Sequence, residues 1–84
     1  MPFSRKFSII SELTNVETIA RGVGVDVRHH LNRIYGDGRW RKLKGRAWVE
    51  YENGREAYAE IHWFQAHGIG KVGLKIVREF KSEK

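Results

Sequence analysis

The sequence predicts an α+β fold in which an N-terminal helical segment packs on one face of a three- to four-stranded antiparallel sheet of meander order. Three observations predict it. Val27, Leu31 and Ile34 recur at the spacing of one helical stripe. From Arg46 onward the hydrophobic period shortens to two, as in strands buried on one face. Two glycine-bearing turns, Asn53-Gly54 and Ala66-His67-Gly68-Ile69-Gly70, divide that stretch into three runs of strand length.

The elements follow in order within a single domain spanning 1–84. Residues 1–12 mix basic and apolar types, with Phe7, Ile9 and Ile10 suited to a short strand or an extended arm. A helical region is expected over 14–35. Its first part, Thr14 to Ala20, has Thr14 or Asn15 as cap and Glu17 near the positive end. After Gly22 and Gly24, Asp26 caps a second helix that runs to Tyr35 and stops at Gly36. The sheet occupies 46–80: Arg46 to Glu52, about Glu56 to Gln65, and Lys71 to Phe80, with Asn53-Gly54 expected as a two-residue type I′ hairpin turn. Residues 81–84 form a frayed tail.

Composition bounds the function. Lys and Arg number 16 against 10 Asp and Glu, a net charge of +6 with a pI near 10.0. In a chain of 84 residues this favours an anionic partner: nucleic acid first, an acidic protein second, a membrane surface third. Ten aromatic rings from three Trp, three Tyr and four Phe favour the first, because bases stack on aromatic faces. Cysteine is absent, which excludes disulfides and thiolate metal sites and fits a reducing cytoplasm. No apolar run is long enough to span a membrane, and Met1 to Lys6 lacks the apolar stretch of a signal peptide.

Strand alternation sorts the sheet residues into two faces. One holds Ala47, Val49, Tyr51, Ala59, Ile61, Trp63, Val72, Leu74 and Ile76, and is expected beneath the helix. The other holds Arg46, Trp48, Glu50, Glu60, His62, Phe64, Lys75 and Val77. Cross-strand pairing would gather a carboxylate, an imidazole, cations and two large rings there.

That set suits metal-independent RNA cleavage, which needs a base for the 2′-hydroxyl proton, an acid for the leaving oxygen and cations on the phosphorane. Glu60 and His62 lie two residues apart on one strand face, Lys75, Arg46 and Arg41 can supply charge, and Trp48 or Phe64 can stack a base. An ordinary surface Glu-His pair with cross-strand salt bridges is the alternative. His67, in the turn, can replace Glu60 as acid or base, or simply hydrogen-bond its loop. The run Arg39-Trp40-Arg41-Lys42-Leu43-Lys44 reads as a phosphate-tracking arm with a stacking Trp, or as a segment anchored by Trp40 and Leu43 with its charges solvated.

Gly68-Ile69-Gly70-Lys71 lacks the remainder of a nucleotide-binding loop and precedes a strand, so triphosphate binding is excluded. Its glycine N–H groups and Lys71 can hold one phosphate, or form a plain hairpin turn. His29 and His30 point about 100° apart on a helix and do not chelate together, and His62 and His67 lack the spacing of a helical zinc pair. No metal and no cofactor is expected. His29 and His30 instead join Arg28 and Arg33 on a basic helix surface.

The strings Tyr35-Gly36-Asp37-Gly38-Arg39-Trp40-Arg41-Lys42, Ala59-Glu60-Ile61-His62-Trp63-Phe64 and Ala66-His67-Gly68-Ile69-Gly70-Lys71 carry a resemblance. Over roughly residues 15–80 the chain resembles small bacterial proteins and polymorphic-toxin C-terminal domains that look like the barnase/EndoU/colicin/RelE superfamily of ribonuclease toxins. The resemblance implies N-terminal helical structure on an antiparallel sheet and metal-free RNA cleavage on the open sheet face. It implies His62 as a catalytic residue, with His67, Glu60, Arg41 and Lys75 as candidates. It also implies an acidic antitoxin or immunity protein.

The leading expectation is therefore a toxin-type ribonuclease acting on tRNA or mRNA. The alternatives are a non-catalytic RNA- or nucleic-acid-binding domain and an interaction module for an acidic protein partner. No membrane partner is expected, and an unpaired edge strand could support a homodimer.

Overall fold

The computed structural model describes residues 6–80; the expected frayed tail at 81–84 and the start of the N-terminal arm lie outside the described residues. The elements are β1 (Phe7–Ile9), β2 (Thr14–Arg21), a 3-10 turn (Gly22–Gly24), α1 (Arg28–Tyr35), β3 (Arg41–Tyr51), β4 (Glu56–Ala66) and β5 (Gly70–Glu79). All strands are antiparallel, in the order β1-β3-β4-β5, and β2 shares with β1 the same edge of β3.

The result is a curled antiparallel half-barrel with one short helix, not an N-terminal helical segment packed on a sheet. The first expected helix is the strand β2. Thr14, Val16, Thr18 and Ile19 are β-branched, stiff at χ1 and suited to a pleated surface. The free edge of β3 then supplies hydrogen-bond partners from Arg46 back to Arg41. Capping signals at Thr14 and Asn15 lose to that pairing, and Asn15 instead adopts a φ of 54° where the register slips. Between β1 and β2 the edge bows away from β3, and the Ser11 hydroxyl accepts the Trp48 N–H at 2.9 Å.

Alternation in β3 and β4 buries the odd-numbered side chains. Leu43, Ala47, Val49, Tyr51, Ala57, Ala59, Ile61 and Trp63 form the main core, joined by Phe7, Ile9, Leu13 and Ile76 from the two edges. The helix does not cover this face. Strand twist and the bulges curl the sheet so that its edges close over the concave side. Gly45 permits a close approach within this core: a Cβ there would lie 3.2 Å from both the Trp63 ring and Val16. At one rim, Tyr51 donates its hydroxyl proton to Glu79 at 2.5 Å, and Arg55 pairs with the same carboxylate at 2.7 Å.

The helix packs instead at one end of the opposite, convex face. Leu31 and Val25 meet Trp40 and Ala66, flanked by Ala20, Phe64, Ile69 and Val72. The pairings Ala20↔Lys42, Lys42↔Phe64 and Phe64↔Val72 place these sheet residues on the convex side. Of the expected stripe only Leu31 is buried, while Val27 and Ile34 are exposed. Asp26 makes no side-chain cap, and Val27 occupies the N-cap position.

The β3–β4 hairpin also differs from expectation. Gly54 N–H bonds Tyr51 O and Tyr51 N–H bonds Arg55 O, leaving a three-residue loop. Gly54 has φ 90° and Asn53 does not have a positive φ, so the two-residue type I′ turn is excluded. In β5 two register irregularities shift the alternation, one of them at Gly73 with φ 64°. Val72 consequently joins the convex side, Leu74 is exposed, and the partners of β4 on that side become Lys75 and Arg78.

Candidate nucleic-acid interface

The convex face is built from cross-strand rows that the β3–β4–β5 register fixes. Beginning beside the helix, the first row is Lys42, Phe64 and Val72, and the second is Lys44, His62 and Lys75. Arg46, Glu60 and Arg78 form the third. In the fourth, Trp48 pairs with Tyr58, whose backbone carbonyl accepts the Phe80 N–H. Glu50 and Glu56 close the hairpin end.

The fourth row is a run of three rings. The centroids of Trp48 and Tyr58 are 5.5 Å apart, as are those of Tyr58 and Phe80, and both pairs are tilted. Trp48 is 41% exposed, unlike the other two tryptophans. Arg46 and Arg78 lie over the Phe80 ring at 4.6 and 5.1 Å, which ties the aromatic row to the cationic one. Lys42 sits 5.8 Å from the Phe64 centroid.

At the centre, the Glu60 Oε2 and His62 Nε2 atoms are 2.7 Å apart, and Arg78 Nε donates to the other Glu60 oxygen at 3.3 Å. The hydrogen bond from His62 holds the Glu60 carboxyl below its ordinary value of 4.5, aided by the charges of His62, Arg78 and Lys44, while burial opposes the shift. The Glu60 and His62 side chains are only 15% and 16% exposed. Glu60 is therefore a carboxylate with both oxygens engaged. Lys44 also lies 3.8 Å from Glu17 of β2.

This geometry unites His62, Glu60, Lys75, Lys44, Arg46 and Trp48, with Lys42 and Phe64 two rows from Glu60. It separates the rest. Arg41 pairs with Gln65, three positions along β3 from the partner of His62 and on the opposite face, a separation of roughly 10 Å along the strand. His67 follows β4 in the turn and, with Arg39, Trp40 and Arg41, lines a distinct cleft of about 660 Å³ between α1 and the end of the sheet. Trp40 is 1% exposed and donates its Nε1–H to Asn32 Oδ1 at 2.9 Å; it anchors the helix and offers no face for stacking. Lys71 pairs with Gln65, on the face away from His62. The glycine turn is a hairpin closed by Ile69 N–H to Ala66 O at 3.0 Å, with φ 84° at Gly68.

Three convex-face residues, Tyr58, Arg78 and Phe80, are missing from the set expected on this face. Tyr58 shares parity with Glu60 and was legible from that spacing alone. Arg78 and Phe80 were not, because the β5 irregularity reassigns them. Among the described residues no group of three or more His, Cys, Asp or Glu side chains could hold a metal ion. No helix among them is long and apolar enough to cross a membrane.

Comparison of the chain with protein-family models, curated proteins and solved structures finds no match.

Proposed function

We propose that this protein binds single-stranded RNA along the convex face of its sheet. The observation that carries the reading is the Trp48–Tyr58–Phe80 row, with Trp48 exposed and Tyr58 and Phe80 half-buried, beside two rows that bear Arg46, Arg78, Lys44 and Lys75. Bases stack on ring faces whatever their sequence, while cations neutralise the phosphates alongside. The engaged Glu60 carboxylate fixes His62 and Arg78 between the cations, so the face is pre-ordered for a ligand.

Cleavage of that RNA is the second reading, favoured by the 2.7 Å Glu60–His62 contact between Lys44 and Lys75. Binding without cleavage is preferred on chemical grounds. A general base works best with a pKa near the working pH, and Glu60 is displaced the other way. His67, the other acid–base candidate, belongs to the cleft beside α1. The toxin-type ribonuclease reading, with its acidic antitoxin, therefore stands on the Glu60–His62 pair.

Labelled single-stranded RNA incubated with the purified protein in EDTA tests both readings. The expected result is retention that falls as salt rises, with the RNA intact and Trp48→Ala weakening binding about 5- to 150-fold, the range for loss of one stacked base. RNA fragments formed by the wild type and absent with His62→Ala would establish the ribonuclease instead. Binding unaltered by Trp48→Ala but lost with the charges would point to an acidic protein partner.

A further inference from the structure

The cleft between α1 and the sheet end has no place in the sheet-face reading, yet its charged lining is of one sign. Arg21, Arg28, Arg39, Arg41 and His67 all border it, and no carboxylate does. They come from β2, α1, the segment before β3, β3 itself and the β4–β5 turn, so the fold gathers them from five separate places. Arg21 and Arg41 are direct cross-strand partners. Like charges opposite one another destabilise a sheet unless an anion lies between them. Among the described residues none of these four arginines has a carboxylate within ion-pair distance.

The remaining lining adds neutral donors and an apolar wall. Asn32 Oδ1 accepts hydrogen bonds from Trp40 Nε1 at 2.9 Å and from Gly38 N at 3.3 Å. Because both neighbours are donors, the amide must present its oxygen to them, which leaves its NH2 group for another acceptor. Val23, 82% exposed, stands at the same cleft. A volume of about 660 Å³ exceeds the needs of a bare inorganic anion and lies within the range of small-molecule sites.

We propose that this cleft binds a phosphate monoester: the guanidinium groups hold the dianionic phosphoryl oxygens, and the organic group lies against Val23. Guanidinium forks match phosphate oxygens bidentately, and a cleft bordered by several of them with no carboxylate favours a dianionic monoester over a singly charged backbone diester. The shared chemistry can come from a free nucleotide or from the phosphorylated end of a nucleic-acid chain. Neither depends on the convex-face residues.

The test is an NMR titration of the full-length 15N-labelled chain with adenosine 5′-monophosphate and, separately, adenosine, following the arginine Nε–H signals. The monophosphate is expected to bind at least tenfold more tightly than the nucleoside and to shift Arg21, Arg39 and Arg41. Arg39→Gln/Arg41→Gln is expected to weaken it at least tenfold, and Arg33→Gln, outside the cleft, to leave it unchanged. Arg28→Gln, on the helix, gives a second loss-of-binding variant should the double substitution disturb the sheet. Oligonucleotides with a 5′-phosphate or a 5′-hydroxyl distinguish the sources: tighter binding of the phosphorylated one assigns the chain end, and equal binding assigns the free nucleotide. Equal affinity for monophosphate and nucleoside, or undiminished monophosphate binding by folded Arg39→Gln/Arg41→Gln and Arg28→Gln, would overturn the proposal.

Discussion

Replacing Lys44 and Lys75 together by Gln removes the two cations that flank His62 across β3 and β5 while leaving the apolar packing untouched. Both ammonium groups stand on the convex side, on strands about 10 Å apart with β4 between them. Each phosphate neutralised on a single strand contributes about −0.7 to the slope of log affinity against log salt. If Lys42, Lys44, Arg46, Lys75 and Arg78 each meet a phosphate, the wild-type slope is about −3.5 and the double variant's about −2.1. Raising salt from about 50 to about 200 mM then weakens the wild type about 100-fold and the variant about 20-fold. Fluorescence anisotropy of a labelled single-stranded RNA over that salt series, with Lys6→Gln as an exposed control outside the convex-face rows, provides the measurement. An unchanged slope in the double variant, or an equal reduction in the Lys6→Gln control, would refute the electrostatic argument.

Other consequences concern the fold that supports this face. Gly45→Ala should destabilise the protein by about 1–3 kcal/mol in urea unfolding, since the new methyl meets Trp63 and Val16 at 3.2 Å within a packed core. Gly54→Ala has open space around its Cβ but a φ of 90°, so its cost should be conformational alone, about 1–2 kcal/mol by the same assay. Glu60→Gln should flatten the acid limb of stability. The folded-state pKa of Glu60 is depressed, so its contribution is present above the ordinary value of 4.5 and lost as pH falls through the folded value. Melting temperatures measured from pH 7 down to 2 should therefore decline less in Glu60→Gln than in the wild type across that acid window.

The central hairpin was legible because its information is local. From Arg46 to Tyr51 and from Ala57 to Trp63 alternate residues are buried, and that alternation alone places Arg46, Trp48, Glu60 and His62 together. β3 nevertheless begins at Arg41, five residues before the expected strand, within the run read as a phosphate-tracking arm. The edges were not legible. Thr14 to Ala20 carries both capping residues and β-branched residues, and its state is decided by the free edge of β3, a partner more than twenty residues away. In β5, Gly73 accommodates the Phe64 ring, with the nearest ring atom 3.3 Å from where a Cβ would stand. That glycine lies at a register slip, and the slips together exchange Val77 for Arg78 and Phe80 on the convex face. The helix posed a different difficulty. Periodicity identified Arg28 to Tyr35, but nothing in the strand pattern says which face a short helix will cover. Its site is set by Trp40 and Ala66, whose convex-side burial follows only once the full register is known. The arginine cleft was hidden for the same reason, since its cations lie far apart in sequence.

Binding of RNA to the convex face can be read from the three tryptophan indole signals. Trp40 and Trp63 are each 1% exposed, with indole N–H groups bonded to Asn32 at 2.9 Å and Gln65 at 3.0 Å, whereas Trp48 is 41% exposed. A 1H–15N titration with a single-stranded RNA bearing a 5′-hydroxyl should move the Trp48 indole signal while those of Trp40 and Trp63 remain in place. Saturable RNA binding with the Trp48 signal unmoved would contradict the account.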